Sequence, residues 1–268
     1  MQKVILITGA TAGMGKAMAE SLAENGHQVF ATGRNIPSES RHPNLFYRYL
    51  DVKNNDSVKG AVSGILEQFH RIDMLVNSAG LGLAGPLEET PFEEIYHLFE
   101  TNFFGTIRVI KQVIPIMRKQ GDGLIVNMSS IGGRIGLPFQ SIYSSSKFAV
   151  ECLTEALRIE LKPFGINVCM IEPGDYHTNT VYNRRNVIPQ KESPYHRRLK
   201  DYFDLLDNNI AKGSNPEALG KLILKIAASR RPRLRYKSGK YFEKITPCAL
   251  NLLPNRIFEW LLARFYKI

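Results

Sequence analysis

Tyr143 and Lys147 stand four residues apart in the run Tyr143-Ser144-Ser145-Ser146-Lys147. In a helix that spacing puts both side chains on one face. An ammonium near a phenol favours the phenolate and draws the tyrosine pKa down from about 10. Tyr143 then suits a general acid for a carbonyl, or a general base for an alcohol. The pair alone also fits an amphipathic helix surface, so its meaning rests on its neighbours. Ser129-Ser130 closes an apolar run ahead of it, and Asn77-Ser78-Ala79-Gly80 closes another. Asn102 lies in a long helical pattern, and Pro173-Gly174-Asp175-Tyr176-His177-Thr178 leaves a third apolar run.

A second constellation opens the chain. Thr8-Gly9-Ala10-Thr11-Ala12-Gly13-Met14-Gly15 follows Val4-Ile5-Leu6-Ile7 and leads into a helical pattern from Lys16 to Glu24. A strand, a glycine turn and a helix cradle a dinucleotide pyrophosphate, because the backbone can approach the phosphates and the helix N-terminus supplies amide donors. An isolated glycine turn would be only a tight turn. Its place directly behind a buried-type strand is what points to the cofactor.

The elements that must position these residues alternate along the chain. Val29-Thr32, Phe46-Leu50, Met74-Val76, Leu124-Met128 and Asn167-Ile171 read as strands after the first. Asp56-Phe69, Pro91-Arg118 and Ile142-Lys162 read as helices. Short continuous apolar runs between helices predict an α/β fold, a single-domain Rossmann-type doubly wound parallel sheet with helices on both faces. Residues 1–240 are expected to form this dinucleotide-binding and catalytic domain. Residues 175–215, rich in tyrosine and charge and without a clear strand, are expected to shape the substrate site, and 241–268 an amphipathic tail.

The set of motifs resembles the classical short-chain dehydrogenase/reductase family over residues 3–230. It comprises Thr-Gly-x-x-x-Gly-x-Gly, an Asn-x-Ala-Gly strand end, a helical Asn, a Ser, Tyr-x-x-x-Lys and Pro-Gly-x-x-x-Thr, in the family's order. Ser78 departs from the family's usual second Asn, with no functional consequence expected. The resemblance implies that Tyr143 exchanges a proton with the substrate oxygen and Lys147 lowers its pKa and binds the nicotinamide ribose. It implies that Ser130 holds the substrate oxygen, and that Asn102 anchors a water linking Lys147 to solvent. Thr8, Gly9, Thr11, Gly13, Met14 and Gly15 would surround the cofactor phosphates, and Asp51 and Val52 its adenine. Asn77, Ala79 and Gly80 would line the adenosine, with Pro173, Gly174 and Thr178 on the nicotinamide side. Asp51 also fits a helix cap, for which Asn54, Asn55 and Asp56 compete. No metal is expected, since tyrosine and serine donors can stabilise the alkoxide.

NAD-selective members hold the ribose 2′-hydroxyl with an acid at the end of the second strand. Here Gly33 occupies that place and Arg34 follows, and a guanidinium pairs with a 2′-phosphate. NADP(H) is therefore the expected cofactor, unless Arg34 is merely a solvated arginine. The apolar and glycine positions of Leu81-Leu87 and Ile131-Phe139 suit a small hydrophobic substrate.

The chain of 268 residues carries a formal charge of +10. Its late basic runs, such as Arg230-Arg231-Pro232-Arg233-Leu234-Arg235, accompany no nucleic-acid module, so a solvated basic face is expected and nucleic acid is not. Cys152, Cys169 and Cys248 match no metal spacing and are read as reduced packing residues. No signal peptide or membrane-spanning run is evident, which predicts a cytoplasmic protein. In the tail, Ile257, Phe258, Leu261, Leu262, Phe265 and Ile268 share one face at about 100° per residue. That face suits either docking on the protein or peripheral contact with an anionic membrane. The ending is similar to the hydroxysteroid, retinol and ketosphinganine branch of the family. The family's homodimers and homotetramers imply pairing through the two long helices. The expected activity is NADP(H)-dependent interconversion of a lipid-like ketone and its secondary alcohol. A small or acyl-thioester ketone, and a non-catalytic NADP(H)-binding sensor or scaffold, are the alternatives.

Overall fold

A computed structural model describes residues 2–40, 42–177, 184–249 and 252–268, with backbone alone at 247–249. The strands in chain order are β1 (Val4–Thr8), β2 (Gln28–Gly33), β3 (Leu45–Tyr49), β4 (Met74–Asn77), β5 (Gly82–Ala84), β6 (Gly123–Met128), β7 (Ile166–Pro173), β8 (Arg184–Asn186) and β9 (Arg235–Ser238). The α-helices are α1 (Gly13–Glu24), α2 (Asn55–Phe69), α3 (Phe92–Phe99), α4 (Gly105–Gln120), α5 (Ser141–Glu160), α6 (His196–Ala211), α7 (Glu217–Ala228), α8 (Tyr241–Ala249) and α9 (Asn255–Tyr266).

Seven strands form one parallel sheet in the order β3-β2-β1-β4-β6-β7-β9. Side chains alternate across it with the period of two that a strand imposes. Ile5 and Ile7 pack with Met18 and Leu22 of α1 and Leu219 and Ile223 of α7 on one face. Val4 and Leu6 pack with Val58 and Ile65 of α2 and Val109 and Val113 of α4 on the other. Every residue of β1 is buried, as a strand covered on both faces requires. Each such Leu or Ile contributes roughly 1.5–3 kcal/mol by burial. The chain order reverses between β1 and β4, which opens a crevice at their carboxyl ends.

The predicted helix over Pro91-Arg118 is three pieces. A π-helical turn, Glu100–Phe104, separates α3 from α4. Wide turns of this kind recur at functional sites, and this one carries Asn102. Three strands, β5, β8 and β9, escape the sequence pattern. β9 is a polar edge strand, Arg235-Tyr236-Lys237-Ser238, of the sort that protects a sheet edge. Within 175–215, read as lacking a clear strand, β8 pairs in parallel with β5, Gly82 opposite Arg184.

That segment also contains α6, which buries Leu199, Tyr202 and Leu206. The described tyrosines of this segment hydrogen-bond within the fold and tie the segment down. Tyr202 donates to Pro138 O at 2.7 Å and accepts from Gln140 Nε2 at 2.9 Å. Tyr195 donates to Glu88 at 2.9 Å, and Tyr176 shares a hydrogen bond with Ser238. Tyr182 and Thr178 lie outside the described residues. Cys169 is buried, which pushes its thiol up to about 12, whereas Cys152 is exposed and so is not a packing residue. The side chain of Cys248 lies outside the described residues. Among the described residues no helix is long and apolar enough to cross a membrane.

Candidate active site

The carboxyl ends of β4, β6 and β7, with Met14 of α1, border a cavity of about 700 Å³. Ser130, Tyr143 and Lys147 line it together, although they come from the end of β6 and from α5. Ser130 accepts Gly132 N at 3.1 Å, which anchors its side chain, and its hydroxyl hydrogen-bonds the Tyr143 phenol. Lys147 is 7% exposed and donates to Met128 O at 2.9 Å. Its Nζ lies 5.9 Å from the centre of the Tyr143 ring.

Asn102 is buried beneath them. It clamps the backbone of Leu81 from both sides, accepting from its N–H at 2.8 Å and donating to its carbonyl at 3.0 Å. It also donates to Ser146 Oγ at 3.1 Å. The π-helical turn thus fixes the strand-end loop that faces Lys147, and a Cβ on Gly80 would lie 3.6 Å from Lys147 Nζ.

The electrostatics differ from the expected lowering of the Tyr143 pKa. Burial pushes the phenol up, and the Ser130 hydrogen bond only partly opposes this. Burial also draws Lys147 down to about 8, against the charge of Glu151. At neutral pH the site therefore holds a protonated tyrosine beside a largely charged lysine.

Behind α5 lies a buried ionic cluster. Arg235 Nε stands 3.0 Å from both Glu151 Oε2 and Glu172 Oε1, and its guanidinium also meets Glu155. Arg134 approaches Glu172 at 3.9 Å. Burial pushes both Glu151 and Glu172 up despite these cations. The last residue of the basic run 230–235 is thus a core ion-pair partner, while Arg230, Arg231 and Arg233 are exposed as expected.

The glycine turn fits a dinucleotide. Gly9 and Gly13 hold φ of +63° and +56°, a region that favours glycine. A Cβ on Gly15 would strike the Gly9 carbonyl, and one on Gly9 would come within 2.7 Å of Ala79 Cα. Thr8 Oγ1 accepts the amides of Ser78 and Ala79 at 3.1 and 3.2 Å, locking the turn to the end of β4. No side chain caps α1, so its first amides stay available to an anion. Met14, Gly80, Pro173 and Gly174 line the cavity, while Thr11 packs against Gly33 at the end of β2.

Arg34 is exposed beside Gly33. Asn77 is buried and donates to Asn127 Oδ1 at 2.9 Å, and Val52 is buried beside Gly105. Asp51 accepts Lys53 N at 3.0 Å, whereas Asn54 accepts Ser57 N at 2.9 Å and caps α2. Asp51 is thereby released from the capping alternative.

A family model for short chain dehydrogenases matches residues 3–188. The chain belongs to the short-chain dehydrogenase family. It is 39% identical over 267 residues to a 3-ketodihydrosphingosine reductase of Bacteroides thetaiotaomicron, covering 99% of this chain and 98% of that protein. It is 32% identical over 258 residues to human 17-beta-hydroxysteroid dehydrogenase type 1, covering 89% and 78%. A short-chain dehydrogenase structure from Streptomyces avermitilis superposes with a TM-score of 0.82 at 29% identity, covering 97% of this chain and 96% of that one.

Sequence reasoning on this short-chain dehydrogenase missed the far wall of the cavity. Phe258, Leu261, Leu262, Phe265 and Tyr266 of α9 close it, and Tyr266 packs 5.5 Å from Tyr202, ring centre to ring centre. The amphipathic period of the tail was visible. Which surface it covers was not, because periodicity names a buried face without naming its partner.

Proposed function

We propose that this short-chain dehydrogenase is an NADP(H)-dependent reductase of long, hydrophobic ketones. The observation that carries the reading is the single cavity in which Ser130, Tyr143 and Lys147 meet an apolar wall contributed by α6 and α9. A bound nicotinamide supplies hydride to the carbonyl carbon. Tyr143 gives its phenolic proton to the carbonyl oxygen, which completes the alcohol. Burial supports this direction, since it keeps the proton on the phenol until the oxygen gains negative charge. Ser130 orients the oxygen by hydrogen bonding, and Lys147 stabilises the phenolate left behind. Asn102 holds the Leu81 loop and, through Ser146, the turn of α5 that carries both residues.

Gly9, Gly13, Gly15, Thr8, Thr11 and Met14 would hold the pyrophosphate on the N-terminus of α1, and Asp51, Val52, Asn77 and Ala79 would border the adenosine. Gly80, Pro173 and Gly174 flank the nicotinamide. Arg34 pairs with the 2′-phosphate. Burial, followed by the charges of Lys53, Arg185 and Arg34, holds the His97 imidazole below its usual range, which supports a cationic surrounding for Arg34.

The substrate class is supported by the relative named for a ketosphingoid and by the apolar α9 wall. The outer side of α9 leaves Ile257 and Trp260 exposed next to Arg256 and Arg264, which supports peripheral attachment to an anionic bilayer while the inner side docks on the domain. Pairing of subunits is supported on α5 by exposed Phe148 and Ile159.

A chain-length series of ketones, followed by NADPH absorbance, tests the reading. Efficiency should climb with chain length, and NADH should serve poorly. Turnover confined to short ketones would remove the lipid assignment.

A further inference from the structure

Asp175 is a carboxylate inside the reaction cavity that the chemistry above does not use. It follows Gly174 at the exit of β7 and lines the cavity with Ser130 and Tyr143. Its backbone has a structural task, since its carbonyl accepts Ser214 N at 2.8 Å beside the Tyr176–Ser214 bridge. Its carboxylate accepts no hydrogen bond and joins no ion pair among the described residues. The nearest cations are otherwise placed. Arg184 and Lys240 line the same cavity, but Arg184 is bound to Asp207 at 2.7 Å and to Asn186 at 2.8 Å, and the exposed Lys240 makes no ion pair with Asp175.

A carboxylate drawn out of water without a donor is costly. Burial, reinforced by Glu243, accordingly pushes Asp175 up to about 6. Glu243 itself is occupied, accepting Lys240 N at 2.7 Å and closing over Gly174. The charge of Asp175 is felt at Tyr143, Tyr202 and Tyr266. It lines the same cavity as the reacting phenol and the apolar residues of α6 and α9. A substrate whose carbonyl meets Ser130 and Tyr143, and whose chain lies against Leu206, Phe258 and Tyr266, shares that cavity with Asp175.

We infer that Asp175 is the specificity-determining residue that selects a long-chain ketone bearing a protonated amine close to the carbonyl. The inference rests on the reductase reading of the same cavity. The ammonium supplies the donors the carboxylate lacks, and a neutral ketone of equal length leaves it unpaired and desolvated. Sites built to pair a polar group discriminate against analogues that lack it. The incoming cation also holds Asp175 ionised at neutral pH.

The test compares two ketones of equal chain length, a 3-keto lipid with a 2-amino group and the same 3-keto lipid without it. NADPH consumption is followed with the full-length protein and with Asp175→Asn. The wild type should favour the amino ketone at least tenfold in kcat/KM, and in the variant that ratio should fall toward one through a rise in KM for the amino ketone. Equal efficiency with both ketones in the wild type would overturn the assignment, and so would a preference that survives in the variant. A loss of equal size for both ketones would place the effect on the cofactor or the loop and would also overturn it. Consumption with neither ketone, in a protein that binds NADPH, is the failure of the reductase reading itself and takes the assignment with it.

Discussion

Replacing Arg235 with methionine removes the cation shared by two nearly buried carboxylates. Glu151 and Glu172 have side chains only 6% and 1% exposed, and each lies 3.0 Å from Arg235 Nε. Arg134 stays near Glu172 at 3.9 Å, so Glu151 loses its ion-pair partner, keeps only the more distant charge of Lys147, and is expected to take up a proton. A glutamate has a pKa of about 4.3 when unfolded, so keeping one protonated costs about 3.7 kcal/mol at pH 7 and about 1.6 kcal/mol at pH 5.5. The larger figure agrees with the roughly 3–5 kcal/mol typical of breaking a buried pair. The folded variant binds one more proton than its unfolded chain, so its stability falls as pH rises, and its deficit against the wild type grows. For a chain of this size the loss at pH 7 lowers Tm by about 7–15 °C. Thermal and urea unfolding of both proteins at the two pH values measure it. A deficit below about 1 kcal/mol at pH 7, or one that does not shrink at pH 5.5, would refute the assignment of Arg235 as the counter-ion of this cluster.

Arg34→Asp should weaken NADPH relative to NADH by about 10- to 100-fold, the equivalent of one charge-assisted pair, in a comparison of kcat/KM for the two cofactors. An unchanged ratio would return Arg34 to the solvated surface. Reduction should decline as pH rises through about 8, where buried Lys147 loses its proton, and a kcat profile flat from pH 7 to 9.5 would contradict that. Tyr266→Ala should raise KM for a long-chain ketone about tenfold by removing apolar contact, while a short ketone changes little. Equal effects on both would mean that α9 does not meet the chain.

Much of this was readable before the structure because the relevant signals are local. The glycine turn, the strand ends and Tyr143 four residues ahead of Lys147 each declare themselves within a few positions. Continuous apolar runs such as Val4-Ile5-Leu6-Ile7 set the parallel sheet, since only a strand covered on both faces reads that way. What escaped depends on contacts distant in sequence. Arg235 looks like one more basic residue in 230–235, and only the pairing of β7 with β9 brings it to Glu172. The polar β9 has no alternation to betray it. Asp175 sits in plain view after Pro173-Gly174, yet its role turns on α6 and α9 closing the cavity around it. The lowering of the Tyr143 pKa failed for a related reason. Helical spacing put Lys147 on the right face, but the depth of burial, which dominates both groups, is a tertiary property.

The decisive experiment is Tyr143→Phe, which removes one oxygen and leaves the ring that lines the cavity. NADPH oxidation with a long-chain ketone should fall by about 10²–10⁴-fold, the usual contribution of a positioned general acid, while NADPH affinity stays within a few-fold of the wild type. Turnover within tenfold of the wild type would contradict the account, because another group lining the cavity would then have to supply the proton.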